Sequence, residues 1–272
     1  MNVYKCLELE DKEFSSKNEM FKALKTNKDL IIANKKIKKT TSESIEGTFI
    51  NKTQNKSFDF VEDGFIYPVI NTTNYMDSHN DVHLKGIWNK SIKEKQNKIH
   101  YTTDHELKIS NIIAYPKDVE LMTIQTTFKE LGYNLGGETE ALIFKTKPQS
   151  YSNPQAIKII SDKIPIQHSI RMEYVKYFLA VKSEDPELEE ENEYYRKYIN
   201  QIANKEQVEE QGYFWGHTES KIISEGSMVV KGSNDITPMI YANNEPLANT
   251  QKEDQPSKDI DLKAQYYRGL IK

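Results

Sequence analysis

Two β-prone runs joined through a glycine-bearing connection most constrain what this chain can fold into. Residues 119–131 carry Thr and Ile at strand density and stop at Gly132; Gly136-Gly137 and then Ala141-Leu142-Ile143-Phe144 follow. Paired glycines tolerate the backbone dihedrals of a tight connection, so the two runs predict one long hairpin. Shorter β-prone stretches flank it. Phe58 and Phe60, then Phe65-Ile66-Tyr67 with Val69-Ile70, are separated by the turn signal Glu62-Asp63-Gly64. Residues 99–103, Phe214-Trp215 and Met228-Val229-Val230 are also strand-like.

Helices are signalled less often. Asn153 precedes Pro154, an N-cap followed by a first-turn proline whose missing N–H costs nothing there. Asp185-Pro186 repeats the arrangement ahead of Tyr195, Tyr198, Ile199 and Ile202. Their i, i+3, i+4, i+7 spacing lines one helical face, with Gly212 as the stop. The coarse prediction is a β-rich α+β core with a few helices around it.

Composition limits how much of the chain that core can include. Hydrophobic residues make up 37%, below the usual share of about 45–50%, so part of the chain is expected outside the core. Residues 1–45 are read as a charged arm, with the run Asn34-Lys35-Lys36-Ile37-Lys38-Lys39. Such a run is ordinarily a solvated helix or arm, with contact to DNA or a protein shell as the alternative. Residues 46–238 are read as one domain. Residues 239–272, with Asn243-Asn244-Glu245-Pro246 and Gln251 to Pro256, bury too little apolar surface to offset chain entropy and are read as a loose tail or linker.

The same inventory narrows the function classes. A net charge of −4 gives no electrostatic argument for a nucleic-acid partner. Cys6 is the single cysteine, so no disulfide can form within the chain, and no apolar run reaches the length of a membrane span. The expectation is a soluble intracellular protein. No glycine-rich phosphate loop is present. A metal site would start from His79 and His83 with Asp77 and Asp81; the i, i+4 histidine spacing suits a helix, but the surrounding Asn and Asp residues read as turn or strand instead, and neither an HExxH pattern nor a cysteine cluster is present. No metal and no other cofactor is therefore expected.

Serine, histidine and carboxylate chemistry remains, and the residues fall into ordered phrases. Asn74-Tyr75-Met76-Asp77-Ser78-His79-Asn80-Asp81-Val82 leads to Lys85-Gly86-Ile87-Trp88 and Ser91-Ile92-Lys93-Glu94. Tyr101-Thr102-Thr103-Asp104-His105-Glu106 comes next, then Ile164-Pro165-Ile166-Gln167-His168-Ser169-Ile170. Residues 222–229, Gly232-Ser233-Asn234 and Thr237-Pro238 close the series. Across residues 57–238 this order resembles the capsid-maturation (prohead) serine proteases of tailed double-stranded DNA phages, relatives of the herpesvirus assemblins.

The resemblance implies a bent antiparallel β-barrel ringed by helices. It implies an endopeptidase that cleaves scaffold, major capsid and other virion proteins within an immature shell in the host cytoplasm, often with autocleavage. A homodimer is a further expectation carried by the assemblin relationship. By the same resemblance Ser169 is the nucleophile, His105 the general base and Glu225 the group that orients it, with Glu219 and His217 as competitors for the third role. His168 is excluded as base because adjacent strand residues face opposite ways. His100 is the remaining rival. Relatives tend to carry glycine two residues after the serine; Arg171 stands there instead, as an oxyanion donor or a surface salt bridge. A non-catalytic capsid- or scaffold-associated protein that kept the fold is the alternative reading.

Overall fold

The computed structural model describes residues 3–37, 62 and 64–241. Among these residues nine strands and six α-helices run in the order α1 (Lys17–Thr26), α2 (Lys28–Ile37), β1 (Ile66–Thr72), β2 (Asp81–His83), α3 (Asn89–Lys95), β3 (His100–Thr103), β4 (Ile112–Ala114), β5 (Val119–Thr127), β6 (Glu138–Thr146), α4 (Pro154–Ser161), β7 (Gln167–Val181), α5 (Glu189–Tyr198), α6 (Lys205–Gln211), β8 (Tyr213–Val229) and β9 (Met239–Tyr241). The fold is α+β.

The expected hairpin is present: β5 and β6 pair antiparallel from Val119 opposite Thr146 to Thr127 opposite Glu138. It belongs to an antiparallel sheet of order β5-β6-β1-β9. A second sheet is built on β8. Along one side β8 pairs antiparallel with β7 from end to end; it also pairs in parallel with β2 at Trp215–His217 and with β3 at Glu225–Met228. Those parallel pairings correct the expectation of an all-antiparallel barrel, and among the described residues the two sheets do not close. Ile66, Ile70, Leu121, Leu142 and Phe144 of the first sheet pack against Tyr101, Ile222 and Met228 of the second in one apolar core.

The N-terminal segment departs from the expectation of a solvated arm. Lys5, Lys12 and Lys25 are exposed while Phe14, Met20, Phe21, Leu24, Ile31 and Ile32 pack on Leu179, Val181, Tyr213 and Trp215. Helix α1 starts at Ser16, whose side chain accepts from Glu19 N. Polar ties reinforce the docking: Glu8 accepts from Tyr213 OH at 2.6 Å and from Trp215 Nε1 at 2.7 Å. The apolar periodicity inside a lysine-rich composition decides the matter, because charge on one helical face does not prevent burial of the other. The expected tail also begins later than residue 239, since Met239–Tyr241 pairs with Ile66–Pro68. Residues 242–272, the strand expectation at Phe58 and Phe60, and Lys38 and Lys39 of the lysine run lie outside the described residues.

The helix expected up to Gly212 is two helices. After α5 a short 3-10 turn carries Ile199, and the chain breaks before α6. At the break Ala203 N donates to Asn74 O, and Asn204 exchanges hydrogen bonds with the main chain of Met76. These tertiary bonds replace intrahelical ones. Gly212 ends α6 at φ 83°, in the left-handed conformation glycine adopts without strain.

Candidate active site

The site is assembled where β3, β7 and β8 meet. In the parallel register His100 stands beside Glu225 and Thr102 beside Ser227. In the antiparallel register Ser169 stands directly opposite Ser227. Directly opposed residues share a sheet face, as do residues two apart on a regular strand, so Ser169, Ser227 and Glu225 project from one face. Gly226 projects from the other, where a Cβ would lie 2.6 Å from the Phe144 ring. The Ser169 face is therefore the one turned away from the core between the sheets.

The β7–β8 register slips between Ile170 and Met172, which oppose Gly226 and Ile222. Residues 223–225 thus bulge opposite Arg171. Bulges re-aim side chains, and here Arg171 meets Glu225: its Nε donates to Glu225 Oε1 at 2.8 Å.

His105 lies just past the end of β3. Asp104 and His105 have φ of 52° and 56°, a left-handed conformation that costs a non-glycine residue of order 1–3 kcal/mol. Four hydrogen bonds hold this turn. Asp104 N donates to Met228 O, Glu106 N to Thr103 O, His105 N to Ser227 Oγ at 2.9 Å, and Arg171 Nη2 to His105 O at 2.9 Å. The turn brings His105 Nδ1 to 2.9 Å from Glu225 Oε1. With a carboxylate on Nδ1, that nitrogen carries the proton and Nε2 is left as the basic atom.

Glu225 has no exposed side-chain surface. Burial pushes its carboxyl up, but hydrogen bonds from His105, Ser224 and Arg171, with the charge of Arg171, outweigh it and hold the group below its ordinary range. Glu225 is thus a carboxylate at neutral pH. Ser169 is partly exposed, and its Oγ is not hydrogen-bonded to His105.

The competing assignments separate cleanly. Glu219 pairs with Lys90 and Lys176, far along β8 from His105. His217 is fully buried, stacked on Tyr174 with ring centroids 4.0 Å apart, and its Nε2 is 3.1 Å from Asp81 Oδ1. His100 packs edge-on to Tyr115. His168 is buried on the core side, with Nδ1 2.8 Å from Thr237 O and Nε2 3.0 Å from Tyr101 OH. Burial lowers it to about 4. Arg171 forms the expected salt bridge, with its half-exposed guanidinium on the buried carboxylate of Glu225, and also donates to the His105 main chain. Ser227 and Ser224 were not legible as site residues; serines in a strand carry no pattern that marks them.

The four residues of the metal reading are divided between a turn and β2. Donor atoms of Asp77, His79 and Asp81 lie within 4.8 Å of one another. The charge of Asp81 is already answered: Lys35 Nζ reaches Asp81 Oδ1 at 2.5 Å and His79 O at 2.7 Å, and Tyr174 OH donates to Oδ2 at 2.7 Å. Burial raises the Asp81 carboxyl, yet Lys35 and His217 hold it far below the usual range. His83 turns instead to Asn71 at 2.8 Å, and burial, then the nearby His217, lower it to about 3. These contacts make the cluster an internal ion-pair network that anchors α2.

A scan against protein-family models and searches of curated proteins and of solved structures find no match to this chain. Among the described residues, no helix is long and apolar enough to cross a membrane.

Proposed function

We propose that the protein is a serine endopeptidase of the prohead-protease kind, acting on scaffold and capsid proteins inside an assembling shell in the host cytoplasm. The observation that carries this reading is the His105–Glu225 hydrogen bond on the same sheet face as Ser169. A buried carboxylate on Nδ1 fixes the tautomer that leaves Nε2 basic and stabilises the imidazolium formed as that nitrogen accepts a proton. In the proposed reaction Ser169 Oγ attacks the scissile carbonyl carbon and its proton passes to His105 Nε2. The imidazolium then protonates the leaving amine, and water, deprotonated by the same nitrogen, releases the acyl group. No metal or nucleotide enters these steps. Kinship with the herpesvirus-protease fold, the dimer and autocleavage belong to the same proposal and rest on the resemblance across residues 57–238.

The absent Ser169–His105 hydrogen bond favours one second reading, a non-catalytic shell protein with the same fold. Catalytic hydrogen bonds in ligand-free enzymes are frequently long, so this bond is not decisive against catalysis. The test follows wild type and Ser169→Ala by intact mass with a scaffold protein added. Cleavage by wild type alone supports the enzyme. Equal cleavage by both removes Ser169 from its role. Cleavage by neither, repeated inside assembled shells, leaves the shell-protein reading.

A further inference from the structure

We propose that Arg171 is a positioning residue for the general base, clamping the main chain of His105 and the carboxylate of Glu225 with one guanidinium. The inference rests on the reading of His105 as base and adds a residue for which the resemblance supplies no role.

The argument starts from two costs that the local sequence imposes. The left-handed pair Asp104–His105 is strained for residues with a Cβ, so its conformation needs support from outside the turn. Glu225, with no exposed side-chain surface, needs compensation for its charge. Arg171 answers both. Nη2 donates to His105 O and Nε to Glu225 Oε1, the same oxygen that takes His105 Nδ1. The planar guanidinium makes the two contacts at once in a fixed relative geometry, which the point charge of lysine does not reproduce. Ser227 completes the hold from the strand side by accepting from His105 N. Main chain, side chain and partner carboxylate of the base are then fixed relative to each other.

Removing the guanidinium leaves Glu225 with His105 and Ser224 as donors and takes the side-chain donor from His105 O. The ring is then held from a turn that has lost its clamp, so its orientation loosens.

The test compares wild type, Arg171→Met and Arg171→Lys in two measurements. One is 15N NMR of the His105 ring at fixed pH, reading the Nδ1–H signal and its exchange with solvent, which needs no catalysis. The other is kcat and KM on a scaffold-derived peptide. In Arg171→Met the Nδ1–H signal is expected to shift and broaden, and kcat to fall at least tenfold with KM little changed. In Arg171→Lys the signal also moves and kcat still falls, because charge is kept and geometry lost. An unmoved Nδ1–H signal in Arg171→Met overturns the proposal, whatever the activity. A shifted signal in a chain whose wild type cleaves nothing leaves the clamp standing and sinks the protease reading instead. Should Arg171→Met not fold, an unmoved signal in Arg171→Lys overturns the proposal alone.

Discussion

Glu225 is the residue on which the site turns, because it is a fully buried carboxylate with three donors aimed at it. Glu225→Gln keeps the shape but removes the charge that stabilises the imidazolium. On the proposed endopeptidase reading, the precedent of serine-protease triads gives an expected drop in cleavage of about 10⁴-fold. Ser169→Ala is expected to lower it further, by about 10⁶-fold. Single-turnover assays on one peptide rank the two, and a Glu225→Gln chain as active as wild type contradicts the assignment. Much of this was legible before the fold: Ser169, His105 and Glu225 stand at the ordered phrases, and the period of two excluded His168. The roles of Arg171 and Ser227 were not legible. They depend on the bulge at residues 223–225 and on the left-handed turn, neither of which leaves a composition signal.

Strand β8 is the element that joins every part of the molecule. At one end Tyr213 and Trp215 receive the N-terminal helices; at the other Glu225 and Ser227 build the site. Gly226 lies between two site residues, and an alanine Cβ there meets Phe144 Cε2 at 2.6 Å and Ile70 Cγ2 at 3.1 Å. Gly226→Ala is expected to cost about 1–3 kcal/mol by overpacking and to disturb the Glu225–His105 bond, read as a lowered urea midpoint together with a shifted His105 ring signal. At the other end, Lys35→Met strips buried Asp81 of its nearest cation. A loss of about 3–5 kcal/mol is expected, and a thermal unfolding midpoint equal to wild type contradicts it. Helix α2 was read as part of an arm because its C-terminal end carries the start of the lysine run. Its docking was not legible because Asp81, its ion partner, is 46 residues away and becomes near only on folding.

For the whole molecule, the buried histidines set the response to acid. His168 and His83 are held to about 4 and about 3, each by burial first, against about 6.5 in an unfolded chain. Both folded values are depressed, so between these limits the unfolded chain binds more protons and stability falls as pH falls. The full contribution is present above about pH 6.5; by pH 4 His168 alone accounts for a loss on the order of 3 kcal/mol. Asp77, raised by burial and by Asp81, opposes part of this. Glu225 adds to it once pH drops below the carboxylate range, because its folded value is lowered. Urea unfolding at pH 7 and pH 4.5 checks the direction, and equal free energies at the two pH values contradict it.

The sequence by itself determined the local elements: the β5–β6 hairpin from two β-prone runs and a glycine pair, α4 from Asn153-Pro154, and the end of α6 from Gly212. Each follows from dihedral preference and near-neighbour hydrogen bonds, which act within a few residues. Tertiary structure alone decided that β2 and β3 join β8 in parallel, that residues 3–37 pack onto the domain, and that Arg171 reaches both Glu225 and the His105 main chain. Those outcomes depend on register between strands distant in the chain, and a shift of one residue would turn Glu225 toward the core and Gly226 toward His105. Register is set by the burial of whole faces, a quantity that no short stretch of sequence contains.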